Sequence, residues 1–381
     1  MGNTNAIKVA LCLSLASGCA APAEAEPVGD TVDPARPHAA VPRKAPPDVI
    51  TWTTAGKLVV VDGASGAIRR EVAASQAHGE RDLAWDPWGS RLVVYQGDDD
   101  EGGEIASYPA LRVRDGWLLG ARAHLAWVDG RARLMPAPQG VVVFEEGYGE
   151  RWKLLGASPA PSVSALPPQS AWISISAGST VVHGFALGSD GLERRAAVVT
   201  SKGIEAPSVQ PISVGPAMVP ATARLVPAPA LAAGDSILLD VSGANLVVRP
   251  VAGGAAGPAT FVPLPAAGMR IEAAVPLRGG EVVALLMSGV PQVTAVAVGP
   301  SGFVWSAAHL SLAGDVAPAP RFFSRDLVAQ GSNRLLAATS AGVQAVRVIY
   351  DDDSGVHLAG VAEFNGAALR GPIAVIELPP G

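Results

Sequence analysis

Residues 81 to 95, RDLAWDPWGSRLVVY, predict two β-strands joined by a tight turn. Leu83-Ala84-Trp85 and the run from Arg91 to Tyr95 are rich in residues that favour strands. Between them, Pro87 fixes φ at a value that suits a turn, and Gly89 tolerates a positive φ. The stretch therefore predicts a β-hairpin.

Short apolar runs of strand length recur from Val49 to the end of the chain, each bounded by Gly, Pro, Ser or Asp. No stretch has a sustained period of three to four residues, so helices should be few. Hydrophobic residues make up 49% of the 381 residues, and 43 Gly and 33 Pro suit many strands joined by turns. The chain is therefore predicted to be all-β.

One pattern occurs twice. Arg81-Asp82-Leu83 followed by Gly89-Ser90-Arg91-Leu92 has a counterpart in Arg325-Asp326-Leu327 followed by Gly331-Ser332-Asn333-Arg334-Leu335. The two copies are 244 residues apart, from position 81 to position 325. That spacing equals six units of about 41 residues or five of about 49, and both lengths are near those of β-propeller repeats.

The hairpin resembles the repeat of WD40-like and TolB-like β-propellers, in which an apolar strand, a Pro-Asp-Gly-type turn and a second apolar strand recur once per blade. Here Trp88 replaces the middle acidic residue of that turn. The resemblance implies one β-propeller over residues 49–381, with about seven four-stranded blades; six and eight are also possible. The last strand, within 373–378, would pair near Ile50 and close the ring.

Residues 206–230 interrupt this rhythm with six prolines, which cannot donate to a β-ladder. We expect an irregular blade at this point of the chain. The alternative is a pair of β domains that meet near residue 215.

The N-terminus has the organisation of a signal peptide, with a short polar start, an apolar run over residues 9–16 and then small residues. Leu15-Ala16-Ser17-Gly18-Cys19 resembles a bacterial lipobox, which implies removal of residues 1–18 and acylation of Cys19. Ala20 resembles the default that sends lipoproteins to the outer membrane. The alternative is ordinary cleavage at Ala21-Pro22-Ala23 or Ala23-Glu24-Ala25, which would leave a secreted or periplasmic soluble protein.

Residues 19–48 are rich in Pro and Ala and are predicted to form a disordered tether. The chain's only two cysteines, Cys12 and Cys19, precede the predicted propeller, so its stability must come from packing without disulfides. The net charge of −6 and the absence of a basic run argue against nucleic acid as a partner.

Two acidic loops are candidates for a calcium site, because Ca²⁺ prefers six to eight oxygen ligands. The first contains Asp98, Asp99 and Asp100, and the second, which follows the second copy of the pattern, contains Asp351, Asp352 and Asp353. Neither loop has the EF-hand spacing, and exposed turns favour Asp without any ligand. No other cofactor is expected.

Trp85 and Trp88 are candidates for contact with a glycan, since flat aromatic rings cover the apolar faces of sugars. Packing is the main alternative for a tryptophan, and Trp88 is the better candidate because it lies in a turn. The histidines lack metal-ligand spacing, and no nucleophile or phosphate-loop motif occurs. A pair of carboxylates across blades, such as Asp82 with Glu145 or Glu146, would leave no linear motif.

The sequence thus favours a lipid-anchored propeller of the cell envelope that binds a protein or another ligand without catalysis. The loops on one face of the propeller would form the binding surface. An envelope protein is the expected partner and glycan is a second one. The alternative is an extracytoplasmic hydrolase or lyase that acts on glycan. A pocket in the central channel lined by carboxylates and tryptophan would favour that alternative.

Overall fold

The computed structural model describes residues 45–73, 80–98, 102–113, 116–147, 149–156, 162–176, 178–189, 191–214, 222–232, 234–318 and 323–378. The predicted signal peptide, Cys19 and most of the predicted tether lie outside these ranges, as do Asp99 and Asp100. None of the described residues forms a helix of the length and apolarity needed to cross a membrane.

The described strands form seven antiparallel sheets, which are the seven blades of one β-propeller. Blade 1 contains β1 (Val49–Thr53), β2 (Leu58–Val61), β3 (Ile68–Ala73) and the last strand, β31 (Leu369–Val375). Blade 2 contains β4 (Glu80–Asp86), β5 (Arg91–Asp98), β6 (Gly102–Val113), β7 (Gly116–Leu119) and β8 (Ala123–Val128). Blade 3 contains β9 (Arg131–Ala137), β10 (Gly140–Glu146), β11 (Arg151–Leu155) and β12 (Ser162–Ser164).

The remaining blades follow the same order along the chain. Blade 4 contains β13 (Ser170–Ser176), β14 (Ser179–Gly188), β15 (Gly191–Thr200), β16 (Gly203–Ile204) and β17 (Ser208–Pro211). Blade 5 contains β18 (Arg224–Pro227), β19 (Ser236–Ser242), β20 (Asn245–Ala252), β21 (Ala255–Ala256) and β22 (Thr260–Pro263). Blade 6 contains β23 (Arg270–Leu277), β24 (Val282–Ser288), β25 (Gln292–Val298) and β26 (Val304–Ser311), with a 3₁₀ turn at Arg278–Gly280. Blade 7 contains β27 (Leu327–Ala329), β28 (Arg334–Thr339), β29 (Gly342–Asp351) and β30 (Gly355–Gly360).

The predicted all-β propeller with seven blades is therefore confirmed. The two copies of the Arg-Asp-Leu pattern begin blades 2 and 7. The distance from the start of one to the start of the other is therefore five repeats of about 49 residues. The proline-rich stretch joins blades 4 and 5 and includes β17, which pairs with β15 as an extra strand of blade 4. This is the expected irregular blade, and a single propeller replaces the alternative of two β domains.

The end of the chain closes the ring as predicted, because β31 pairs with β1 and so completes blade 1. Val49 lies opposite Val375, and Ile50 lies opposite Ala374. The innermost strands, β31, β4, β9, β13, β18, β23 and β27, surround the propeller axis, and most neighbours among them are in contact. Residues that start these strands therefore face a common central channel.

The hydrophobic core lies between neighbouring blades. In β24, Val283, Leu285 and Met287 pack towards blade 5, whereas the alternate residues pack towards blade 7. A strand buried on both faces needs apolar residues at every position. This explains why the sequence has continuous apolar runs instead of an alternation of apolar and polar residues.

The predicted hairpin of blade 2 forms β4 and β5 with Trp85 opposite Leu92. Asp86 holds the turn, since its carboxylate accepts hydrogen bonds from the Gly89 N–H at 2.9 Å and from Arg91 Nε at 2.9 Å. This acidic residue precedes the Pro-Trp-Gly segment. It stabilises the turn although the usual acidic residue within that segment is absent.

Candidate functional site

The central channel contains a charged cavity of about 590 Å³. Four arginines line it, Arg81 on β4, Arg133 on β9, Arg325 before β27 and Arg370 on β31. Three aspartates also line it, Asp82, Asp315 and Asp326. The innermost strands of blades 1, 2 and 3 and the segment between β26 and β27 thus bring together residues that are far apart in the sequence.

Asp82 is buried, with 1% of its surface exposed, and it ties blade 2 to blade 3. Its Oδ2 accepts a hydrogen bond from the Leu134 N–H at 2.7 Å, and its Oδ1 lies 3.1 Å from Arg325 Nε in an ion pair. Arg325 also donates to the Leu134 carbonyl. Three blades, 2, 3 and 7, therefore meet at this one carboxylate.

Asp326 is the titratable carboxyl group that the channel perturbs most clearly. Its pKa is raised, first because burial disfavours the charged form and further because Asp82 and Glu272 are nearby, while a hydrogen bond from Ser324 and the charge of Arg133 act in the opposite direction. Ser324 Oγ donates to Asp326 Oδ2 at 2.7 Å. Asp326 also lines the charged cavity. A carboxyl with a raised pKa in a cleft is a candidate for proton transfer.

Gly371 lets Asp326 approach the backbone of β31. A Cβ atom at position 371 would lie 1.9 Å from Asp326 Oδ1, which no side chain larger than hydrogen permits. The carboxylate of Asp326 is thus held between blades 7 and 1, as that of Asp82 is held between blades 2 and 3. The aspartates of the two copies of the Arg-Asp-Leu pattern, Asp82 and Asp326, therefore line the same cavity.

A second cavity of about 270 Å³ is more apolar. Met135, Trp172 and Phe323 contribute apolar surface, and Arg224 and Glu272 contribute charge. Burial lowers the pKa of Arg224 to about 10, and the nearby carboxylate of Glu272 limits that shift. Ser324 and Arg325 line both cavities, so this segment lies between them.

A serine–histidine pair lies on blade 4, which sequence inspection missed because the two residues are on adjacent strands. Ser174 Oγ and His183 Nε2 are 2.8 Å apart. Arg194 Nη2 approaches His183 Nδ1 at 3.4 Å, and since a guanidinium only donates, Nδ1 must accept. Nε2 then carries the proton and donates to Ser174, which leaves the serine without a base. This pair is therefore structural.

His183 makes the stability of the protein depend on pH. Burial, and then the charge of Arg194, lower its pKa from 6.5 to about 4, although Asp235 opposes the shift. Because the folded pKa lies below the unfolded one, the stability due to neutral His183 is complete above pH 6.5 and is lost as the pH falls towards 4. We expect the melting temperature of His183→Gln to fall less than that of the wild type over this range. An equal fall in both proteins would contradict this assignment.

The predicted ligand-binding tryptophans lie outside the lining of both cavities. Trp85 is 8% exposed, packs edge-to-face on Trp117 at 5.1 Å and donates from Nε1 to the Glu377 carbonyl at 2.6 Å. This is the packing role that the sequence analysis weighed against binding. Trp88 is half-buried in the turn. Contact of either residue with a glycan stays a prediction.

Asp82 shares a cavity with Asp326, whereas Glu145 and Glu146, which the sequence suggested as its partners, are outside the cavity lining. Glu145 forms an ion pair with Lys153 at 2.9 Å and accepts from the Asp129 N–H at 3.1 Å, and it lines neither cavity. The repeated Arg-Asp dipeptide was the sequence signal that could have brought Asp82 and Asp326 together.

The second acidic loop uses its first aspartate to form a turn. Asp351 accepts hydrogen bonds from the N–H groups of Asp353 at 2.8 Å and Ser354 at 3.0 Å, which lower its pKa. Within the described ranges, no group of three or more His, Cys, Asp or Glu residues is arranged to hold a metal ion. Calcium binding by Asp351, Asp352 and Asp353, or by Asp98 and its neighbours, stays a prediction.

No protein-family model and no curated protein sequence matches the chain. Solved propellers are similar in structure. A putative 6-phosphogluconolactonase from Bacteroides fragilis has a TM-score of 0.59 at 11% identity, covering 88% of this chain and 99% of that one. A periplasmic gluconolactonase from Pseudomonas aeruginosa has a TM-score of 0.55 at 15% identity, covering 87% and 99%. A hypothetical selenium-binding protein from Sulfolobus tokodaii has a TM-score of 0.56 at 12% identity, covering 87% and 94%. At these identities the likeness establishes the β-propeller fold alone.

Proposed function

We propose that the chain is a hydrolase that opens an internal ester, a lactone, of a sugar acid in the charged cavity. The observation that carries this proposal is Asp326, a carboxyl with a raised pKa that faces a cavity of about 590 Å³ among several arginines. That volume suits a small molecule such as a monosaccharide derivative. Two structural neighbours with lactonase names support the same class of reaction.

Asp326 would act as the general base. In its ionised form it takes a proton from water, and the water oxygen attacks the lactone carbonyl carbon. The carbon–oxygen bond of the ring then breaks, and the leaving alkoxide takes the proton from Asp326. Arg133, whose charge acts on Asp326 and which also lines the cavity, is the candidate to stabilise the negative charge on the carbonyl oxygen.

This proposal shares the hydrolase class with the alternative from the sequence, a hydrolase or lyase acting on glycan, but gives it a lactone as substrate. A pocket in the central channel lined by carboxylates and tryptophan was the feature expected to favour the hydrolase or lyase, and the cavity has the carboxylates. Tryptophan contributes only indirectly to this cavity, since Trp52 packs against Arg81 behind its wall. A scaffold that uses only its surface loops has no need of this buried charge cluster.

We also propose that the protein is located in the cell envelope, and the sequence of residues 1–19 supports this localisation. Acylation of Cys19 would hold the propeller at the membrane, where it would meet substrates outside the cytoplasm. We expect the full chain to partition with membranes in its own cells and Cys19→Ala to be released. Equal partition of both proteins would contradict the lipid anchor.

The experiment is an assay of acid release from a panel of lactones, including glucono-δ-lactone and galactono-γ-lactone, at mildly acidic pH where spontaneous opening is slow. We expect the propeller to open at least one sugar lactone faster than buffer or heat-denatured protein does. Rates equal to spontaneous opening across the panel would reject the hydrolase and return the scaffold to first place.

A further inference from the structure

Arg81 and Arg370 lie close together on the wall of the charged cavity. Burial lowers the pKa of Arg81, and the nearby positive charge of Arg370 lowers it further. Across the described part of the chain, neither guanidinium forms an ion pair with a carboxylate, and Arg81 Nε has no hydrogen-bond partner. Two adjacent guanidinium groups without a carboxylate partner repel each other, and an anion bound between them would be attracted by both.

Arg81 is held in place for such an anion. Its guanidinium stacks over the ring of Trp52 at 4.6 Å, and Trp52 itself is fully buried. Stacking fixes the plane of the guanidinium while its N–H groups remain at the edge. A fixed planar fork of donors matches the two oxygens of a carboxylate.

The charges of the wall indicate how much negative charge the ligand carries. With every carboxyl ionised, four arginines face three aspartates, so one positive charge is left over. Asp82 is already paired with Arg325, and Asp315 would repel a ligand with two negative charges. A single negative charge therefore neutralises the cavity.

We infer that the charged cavity binds a sugar that carries one carboxylate, of the uronic acid type, with this carboxylate between Arg81 and Arg370. Thr54, Ser324 and Ser340 add hydroxyl groups to the lining, which suits the hydroxyls of a sugar. The inference deepens the proposed function, since the substrate would then be a sugar lactone with a second, free carboxylate. It concerns binding, and its test needs no turnover.

The test is a calorimetric titration of the full chain with glucuronate, galacturonate, glucose 6-phosphate and methyl glucoside at low salt. We expect one of the uronates to bind, and to bind more tightly than the phosphorylated and the neutral sugar. Arg81→Gln and Arg370→Gln should each weaken that binding about 10- to 100-fold, as expected for loss of a charged hydrogen bond. Arg112→Gln, which removes an exposed arginine of blade 2, is the matched control and should bind normally.

Melting curves show whether each variant is folded. If Arg81→Gln does not fold, Arg81→Lys replaces it, because lysine keeps the charge but lacks the planar pair of donors. The inference is overturned if no uronate binds, if methyl glucoside binds as well as the uronates, or if glucose 6-phosphate binds more tightly. Uronate binding by a protein that opens no lactone would support the inference and reject the proposed hydrolysis. Hydrolysis of neutral lactones without uronate binding would support the proposed hydrolysis and reject the inferred uronate site.

Discussion

Replacing Asp326 with asparagine is expected to reduce kcat/KM for lactone opening by about 10²- to 10⁴-fold, the usual contribution of a general base. Asparagine has nearly the same shape and keeps an acceptor for the Ser324 hydroxyl, so the packing against Gly371 should survive. The amide cannot take a proton from water. The measurement is acid release by the purified variant on whichever lactone the wild type opens best.

The pH profile gives a second readout. A base must be ionised to act, so wild-type kcat/KM should rise with pH through the pKa of Asp326, which burial places above the ordinary value of 3.8. The Asn variant should lack this rise. Glu205→Gln changes an exposed carboxylate of blade 4 that lines neither cavity and is the matched control, with activity close to that of the wild type. If Asp326→Asn kept full activity and the same profile, Asp326 would not be the base.

The sequence predicted the architecture well because the propeller is specified locally. Each hairpin is encoded by a strand, a turn and a strand, as in residues 81–95, and continuous apolar runs such as β24 reflect burial between two blades. The position of the last strand followed from the need to leave no open edge. Hairpins and apolar strands recur along the chain, so the fold could be predicted although the repeats have diverged.

The site could not be predicted in the same way, because its residues come from separate blades. Arg133 and Arg370 occur in no recognisable motif, and each reaches the cavity only because innermost strands converge on the axis. The two copies of the Arg-Asp-Leu pattern contain four of the seven charged residues that line the cavity, but their repetition was interpreted as a structural repeat alone. Polar residues repeated at the start of innermost strands, where apolar ones would pack, are the signal that indicates a channel site.

Replacing Asp82 with alanine is expected to destabilise the protein by about 3–5 kcal/mol, the usual cost of removing one partner of a buried ion pair. Asp82 is 1% exposed, so in the folded protein its carboxylate interacts with Arg325 and the Leu134 N–H instead of with water. The substitution would leave a cation and a backbone donor unsatisfied where blades 2, 3 and 7 meet. The free energy of unfolding from urea titration is the measurement.

Two further variants separate the parts of this effect. Asp82→Asn keeps an oxygen that accepts from the Leu134 N–H but loses the charge that pairs with Arg325, so its loss should be smaller than that of Asp82→Ala. Glu71→Ala removes the exposed ion pair with Lys57 and should cost less than about 1 kcal/mol. A loss as small for Asp82→Ala as for Glu71→Ala would contradict a structural role of Asp82. Because the same carboxylate holds Arg325 at the boundary of the two cavities, the stability of the channel and the geometry of its charged site depend on one residue.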